Sequence, residues 1–152
     1  MRVTIVAIGK QRDGALKALE QLYAGRMTWP LSVREVAEKR KLPPAEMKER
    51  EGALLLDACP KGATLVALDA RGKTMGSADF AKRLAQWRDN GVADLAFLIG
   101  GADGLNDSIK RRADLLLSFG PMTWPHFLAR GMLLEQLYRA QTLLAGHPYH
   151  RE

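Results

Sequence analysis

The last six residues, His147-Pro148-Tyr149-His150-Arg151-Glu152, place two imidazoles, a phenol, a guanidinium and a carboxylate in one short segment. Chain ends seldom concentrate groups that hydrogen-bond, stack and hold charge in this way. Gly146 stops the helix before them and Pro148 stiffens the segment itself, so the chain end is directed rather than free. The phenol of Tyr149 can stack or hydrogen-bond, Arg151 can hold an anion, and His150 can give or take a proton. His126, at the start of the same helix, can serve the same chemistry or cap the helix.

Two further stretches carry ligand-binding chemistry. Gly100-Gly101-Ala102-Asp103-Gly104 removes side chains where a backbone turns sharply or approaches a ligand. It matches neither the phosphate-cradling G-x-x-x-x-G-K-[ST] loop nor the dinucleotide G-x-G-x-x-G fingerprint, and the Gly9 to Gly14 spacing fails as well. A nicotinamide oxidoreductase is therefore disfavoured. Phe119-Gly120-Pro121-Met122-Thr123-Trp124-Pro125-His126 offers apolar and aromatic walls, free backbone groups and a helix N-terminus, which suits a flat heteroaromatic ligand better than a phosphate. Cys59, in Ala-Cys-Pro-Lys-Gly, is expected to pack as a small residue, and the three histidines and one cysteine form no zinc pattern, so no metal is expected.

These groups need a scaffold, and the apolar pattern predicts one. Strands are expected at Val3–Ile8, Ser32–Val36, Ala63–Leu68, Leu95–Ile99 and Leu115–Ser118. Helices are expected from about Asp13 to Gly25 (Leu16, Leu19, Leu22 and Tyr23 inward), after Pro43-Pro44, from a Ser77 cap to Gly91, after the glycine loop, and from Pro125 to about Leu144. Alternating helices and apolar strands predict an α/β fold with a parallel sheet covered on both faces. Ligands then bind beyond the carboxyl ends of the strands, in the segments after Leu68, Ile99 and Ser118. The final helix is apolar in almost every direction, which predicts burial on more than one side, with a second copy of the chain as partner.

The 152 residues are expected to form one domain. Hydrophobic residues at 47% and charged residues at 26% exclude a disordered chain, and no stretch is apolar enough to span a membrane. A single cysteine excludes an intramolecular disulfide and fits a cytoplasmic, reducing compartment. The net charge of +6 favours a polyanionic partner, with basic clusters at Lys39-Arg40-Lys41, Lys110-Arg111-Arg112 and around Lys82, Arg83 and Arg88.

The segments FLIGGADGL (97–105), MTWPHFLARGMLLEQLYRAQ (122–141) and HPYHRE (147–152) closely resemble the ribosomal RNA large subunit methyltransferase H family of the SPOUT superfamily. The resemblance implies an S-adenosylmethionine-dependent enzyme that methylates N3 of a pseudouridine in 23S rRNA. It implies an α/β parallel-sheet fold with a C-terminal trefoil knot, and a homodimer that acts on the large subunit or the ribosome. By the family's pattern the cofactor site falls on Leu68, Gly100, Phe119, Gly120, Pro121, Met122, Thr123 and Trp124, in the same three segments the sheet argument selects. His126, Tyr149, His150 and Arg151 are then the candidates for handling the target nucleotide. GGADG stands where relatives often have GGPEG, and Phe119-Gly120-Pro121 where a polar stretch is usual. Two other readings stay open: a non-catalytic basic RNA-binding or ribosome-associated dimer, and a related methyltransferase for tRNA or another rRNA position.

Overall fold

Strand and helix alternate from the first residues, in the order β1 Arg2–Ile8, α1 Gly14–Ala24, β2 Leu31–Val36, α2 Pro44–Ala58, β3 Thr64–Lys73, α3 Ser77–Asp89, β4 Asp94–Ile99, α4 Asp107–Arg112, β5 Leu115–Leu117 and α5 His126–Ala145. The computed structural model describes residues 1–151; Glu152, last of the HPYHRE segment, lies outside the described residues. All strand pairings are parallel, in the order β2-β1-β4-β3-β5. Parallel neighbours need crossover helices, and these cover both faces of the sheet. Val3, Ile5 and Ala7 point into one core with Phe80, Leu84, Leu133, Leu134 and Leu137. Val6 and Ile8 point the other way, onto Leu55, Leu105 and Ile109. Thus α3 and α5 pack on one face, and α2 and α4 on the other.

Helix ends follow local chemistry. Asp13 accepts from the amides of Ala15 and Leu16 at 2.9 and 3.0 Å, and Asn106 accepts from Ile109 N at 2.9 Å. Gly146 closes α5 in the left-handed region, at φ 72°. Ser77 is not the expected cap. Gly76 takes that position, and the Ser77 hydroxyl donates to Gln136 Oε1 at 2.7 Å, tying α3 to α5.

Three further expectations are corrected. β3 does not end at Leu68 but continues to Lys73, because Leu68 and Lys73 both pair with Leu117 while the residues between them bulge outward. Gly72 permits this closeness, since a Cβ there would lie 2.7 Å from the Leu116 backbone. Leu22 does not face inward: it lies about 120° around the helix from Leu16 and is 45% exposed. β2 is an edge strand with a mostly exposed surface, not one covered on both faces, and its Arg34 and Glu35 suit an edge.

The apolar surround of α5 is satisfied largely within one chain. The helix lies between α1 and α3 over the sheet, with Leu133 and Leu137 at 0% exposure. Its periodicity therefore gives no argument for a second copy, and a charge at Leu133 or Leu137 would break the fold rather than an assembly. Leu137→Ala is expected to cost about 2–5 kcal/mol, read from the urea midpoint. Cys59 is half-buried beside the second core, with Sγ 3.3 Å from the Leu55 carbonyl oxygen, and burial pushes its thiol up to about 11. That fits packing and not nucleophilic chemistry.

Candidate active site

The segments after β3, β4 and β5 converge at the carboxyl ends of their strands, as expected of a parallel sheet. They enclose a cavity of about 140 Å³. Leu68, Gly100, Phe119, Gly120, Met122 and Trp124 line it, together with His126 at the start of α5. Pro121 and Thr123 are exposed on the same loop and take no part in the lining.

Backbone geometry shapes this cavity. Gly104 N donates to Gly101 O at 3.0 Å, with Gly104 at φ 80°, so the glycine loop folds back on itself. Gly120, at φ 107°, donates its amide to Ser118 Oγ at 3.0 Å, and Trp124 Nε1 donates to Phe119 O at 3.3 Å. Ser118 in turn donates its amide to Lys73 O and its hydroxyl to Ala70 O, both at 3.0 Å. The chain leaving β5 is thereby bonded to both limbs of the β3 bulge.

Asp69 directly follows Leu68, yet no sequence motif singles it out. It lines the cavity and pairs with Lys110 Nζ at 3.2 Å. Burial pushes its pKa up, but the Arg71 amide and Lys110 outweigh burial and hold it below the usual range. Among the described residues, the lining has this one carboxylate and no lysine or arginine. Such a site disfavours phosphate and suits an apolar heterocycle attached to a neutral or cationic group.

His126 is not a cap. Pro125 holds the N-cap position without a side-chain bond, and His126 Nδ1 is buried without a hydrogen-bond partner. Its ring lies 4.3 Å from that of Phe127. Burial, and then the charge of Arg130, push its pKa below the ordinary histidine value.

The tail sits elsewhere in the same chain. Tyr149 OH donates to Glu135 Oε1 at 3.0 Å, and its ring meets Tyr138 edge-on at 4.7 Å. Arg139 lies over the Tyr149 ring at 4.9 Å, bonds Glu135 at 2.6 and 3.0 Å, and reaches His150 Nδ1 at 3.2 Å. Burial, and then hydrogen bonds with Tyr23 and Glu135, push the Tyr149 phenol well above its usual value. Arg151 is exposed. Glu135 and Arg139 are absent from the sequence-derived candidates; their signal is an acid and a base four residues apart on one helix face. At 1.5 Å per residue, they lie about 14–20 Å along α5 from His126. One chain therefore does not bring His126 together with Tyr149, His150 and Arg151.

A second cavity of about 570 Å³ fills part of that interval, lined by Leu19, Tyr23, Phe80, Met132 and Glu135 among others. It shares Leu117, Phe119 and Gly120 with the smaller one.

A family model described as "Predicted SPOUT methyltransferase" matches residues 1–150. The chain is 56% identical over 151 residues to the ribosomal RNA large subunit methyltransferase H of Rhodospirillum centenum, and 54% identical to that of Paramagnetospirillum magneticum, covering 99% of both chains in each comparison. Among solved structures it is similar to a probable methylase family protein from Haemophilus influenzae, with TM-score 0.58, 10% identity and coverage of 99% of this chain and 70% of that one. It also resembles the SpoU methyltransferase AviRb from Streptomyces viridochromogenes, solved in complex with the cofactor AdoMet, with TM-score 0.50, 14% identity and coverage of 92% and 58%. At these identities the solved structures support the fold alone, whereas the full-length match and the close relatives establish kinship: the chain belongs to the SPOUT methyltransferase family.

Proposed function

We propose that the protein transfers the methyl group of S-adenosylmethionine to N3 of a pseudouridine in 23S ribosomal RNA, acting as a single-domain cytoplasmic enzyme and as a homodimer. The observation that carries the cofactor reading is the cavity at the ends of β3, β4 and β5, with apolar walls, unobstructed glycine backbone and no lysine or arginine in its lining. S-adenosylmethionine, when bound, supplies an electrophilic methyl group on a sulfonium. In this reading Leu68 and Met122 cover the adenine faces, backbone groups of residues 119–124 satisfy its edge, and Asp69 favours the cationic centre.

The imide nitrogen of the target must lose its proton, so cationic groups near it lower the barrier. The tail provides Arg151 as an exposed charge and Tyr149 as a stacking face held by Glu135 and Arg139. Because that tail lies far along α5 from its own His126, the reading assigns it to the cofactor site of a second copy. Two observations support the dimer: no residue of α1 is fully buried, and the larger cavity leaves Leu19, Tyr23 and Met132 open on one side. The bonds from Ser118 to Ala70 and Lys73 support a trefoil knot, in which the chain after β5 passes through the arc of the β3 bulge.

Mass spectrometry of 23S rRNA from cells with and without the gene tests the substrate. The expected result is that one methylated pseudouridine disappears when the gene is deleted and returns on complementation; an unchanged modification overturns the reading. Calorimetric binding of S-adenosylmethionine separates the enzyme from a non-catalytic RNA-binding dimer. Sedimentation at micromolar concentration is expected to show a dimer, and a monomer there removes the two-copy site.

A further inference from the structure

Among the described residues, the largest fully buried side chain is a charged one. Arg130, in the second turn of α5, is 1% exposed. Its Nη1 bonds Glu35 Oε2 at 2.5 Å, and its Nη2 donates to Ile8 O at 3.0 Å and to Gly9 O at 2.6 Å. The Phe127 ring lies beneath the guanidinium at 4.9 Å. Gln11 adds to the same cluster, donating its amide to Glu35 Oε2 at 2.7 Å and its side chain to Phe127 O at 3.1 Å. Burying a guanidinium is costly unless nearly all of its donors are satisfied. One of its three nitrogens has no acceptor: Arg130 Nε is buried without a hydrogen-bond partner.

A second buried atom lacks a partner one helical turn away, His126 Nδ1. Residues four apart on a helix share a face. Nε of arginine can only donate, whereas Nδ1 of histidine donates or accepts according to its tautomer. A proton on Nδ1 would place two buried donors on one face of the helix with no acceptor for either. With the proton on Nε2, one buried water can accept from Arg130 Nε and donate to His126 Nδ1, and so answer both deficits.

We propose that Arg130 is a positioning residue: it fixes His126 as the tautomer protonated on Nε2, with Nδ1 turned to the guanidinium and the Nε2–H group offered to the small cavity as a hydrogen-bond donor. This deepens the proposed function, on which its catalytic meaning rests. His126 then orients cofactor or substrate and does not accept the imide proton, which leaves that role to the tail or to solvent. The lowered pKa of His126 agrees with this placement.

The test uses the full-length chain without cofactor or RNA, so that its outcome is independent of the methylation reading. Long-range proton–nitrogen NMR of labelled histidines reports which ring nitrogen carries the proton, and His126→Asn identifies the signal among the three histidines. The expected spectrum has an unprotonated Nδ1 and a protonated Nε2 at neutral pH. Arg130→Met is expected to convert this into a mixture of tautomers, while Arg130→Lys retains the single one. Should Arg130→Met fail to fold by stranding Glu35, the Arg130→Met/Glu35→Met pair removes both charges and serves in its place. A wild-type spectrum with Nδ1 protonated overturns the proposal, as does an unchanged His126 signal in a folded variant lacking the guanidinium.

Discussion

Removal of residues 147–152 is expected to abolish methyl transfer, by more than about 100-fold, while folding, dimerisation and cofactor binding persist. Folding persists because α5 is ended by Gly146, and the residues that hold it in place, Leu133, Leu134, Leu137 and Ala140, lie in the core and not in the tail. Cofactor binding persists because the small cavity is lined by none of the described tail residues, 147–151. The loss is that of a built surface: Tyr149 held by Glu135 and lying edge-on to Tyr138, with Arg139 between that ring and His150. A frayed end would not be held by so many side-chain contacts. Tyr149→Ala and Arg151→Ala should each reproduce much of the defect. Tyr149→Phe keeps the ring and loses the bond to Glu135, so it separates stacking from hydrogen bonding. The assay is transfer of labelled methyl to ribosomes, with thermal unfolding as the control. A truncated protein that methylates at near wild-type rate would show that the tail is only a terminus.

The sheet is legible in the sequence because its central strands are apolar runs: Val3–Ile8 and Leu95–Ile99 admit almost no other reading in a chain of this size, and Leu95–Ile99 leads directly into the glycine loop at the cavity. The hidden features depend on partners distant in sequence. The extension of β3 is a backbone pairing between Lys73 and Leu117, and neither side chain announces it. Nothing in the sequence singles out Arg130, because its acceptors on Ile8, Gly9 and Glu35 lie about a hundred residues away. Leu22 reads as inward on hydrophobicity alone, although its angle around the helix opposes it. The separation of His126 from the tail is available from helix length, at 1.5 Å per residue. The family resemblance implies that both serve one site, and the proposed second copy of the chain is what would bring them together.

The second large effect is expected at the glycine loop. Gly100 is buried, and a Cβ built there lies 3.0 Å from Gly104 C, 3.1 Å from Gly104 O and 3.0 Å from Leu105 Cδ2. Gly100 is not among the glycines with positive φ, so the constraint is space and not backbone conformation. Two of the three neighbours are backbone atoms, which cannot rotate away as a side-chain tip would. Gly100→Val must therefore displace the Gly101–Gly104 fold-back that forms one side of the cavity. The expected result is loss of S-adenosylmethionine binding by at least about 100-fold, equivalent to about 2.7 kcal/mol, in a protein that still unfolds cooperatively. Gly100→Ala adds the single Cβ and should give a smaller, graded loss. Gly104→Asn is the matching control: open space surrounds a Cβ there, and asparagine tolerates the left-handed backbone that φ 80° requires. If crowding governs the site, binding falls in the order Gly104→Asn, Gly100→Ala, Gly100→Val. Wild-type affinity in a folded Gly100→Val protein removes this loop from the cofactor site. A larger loss at Gly104 than at Gly100 would instead mean that loop conformation, and not room beneath the ligand, is what the glycines provide.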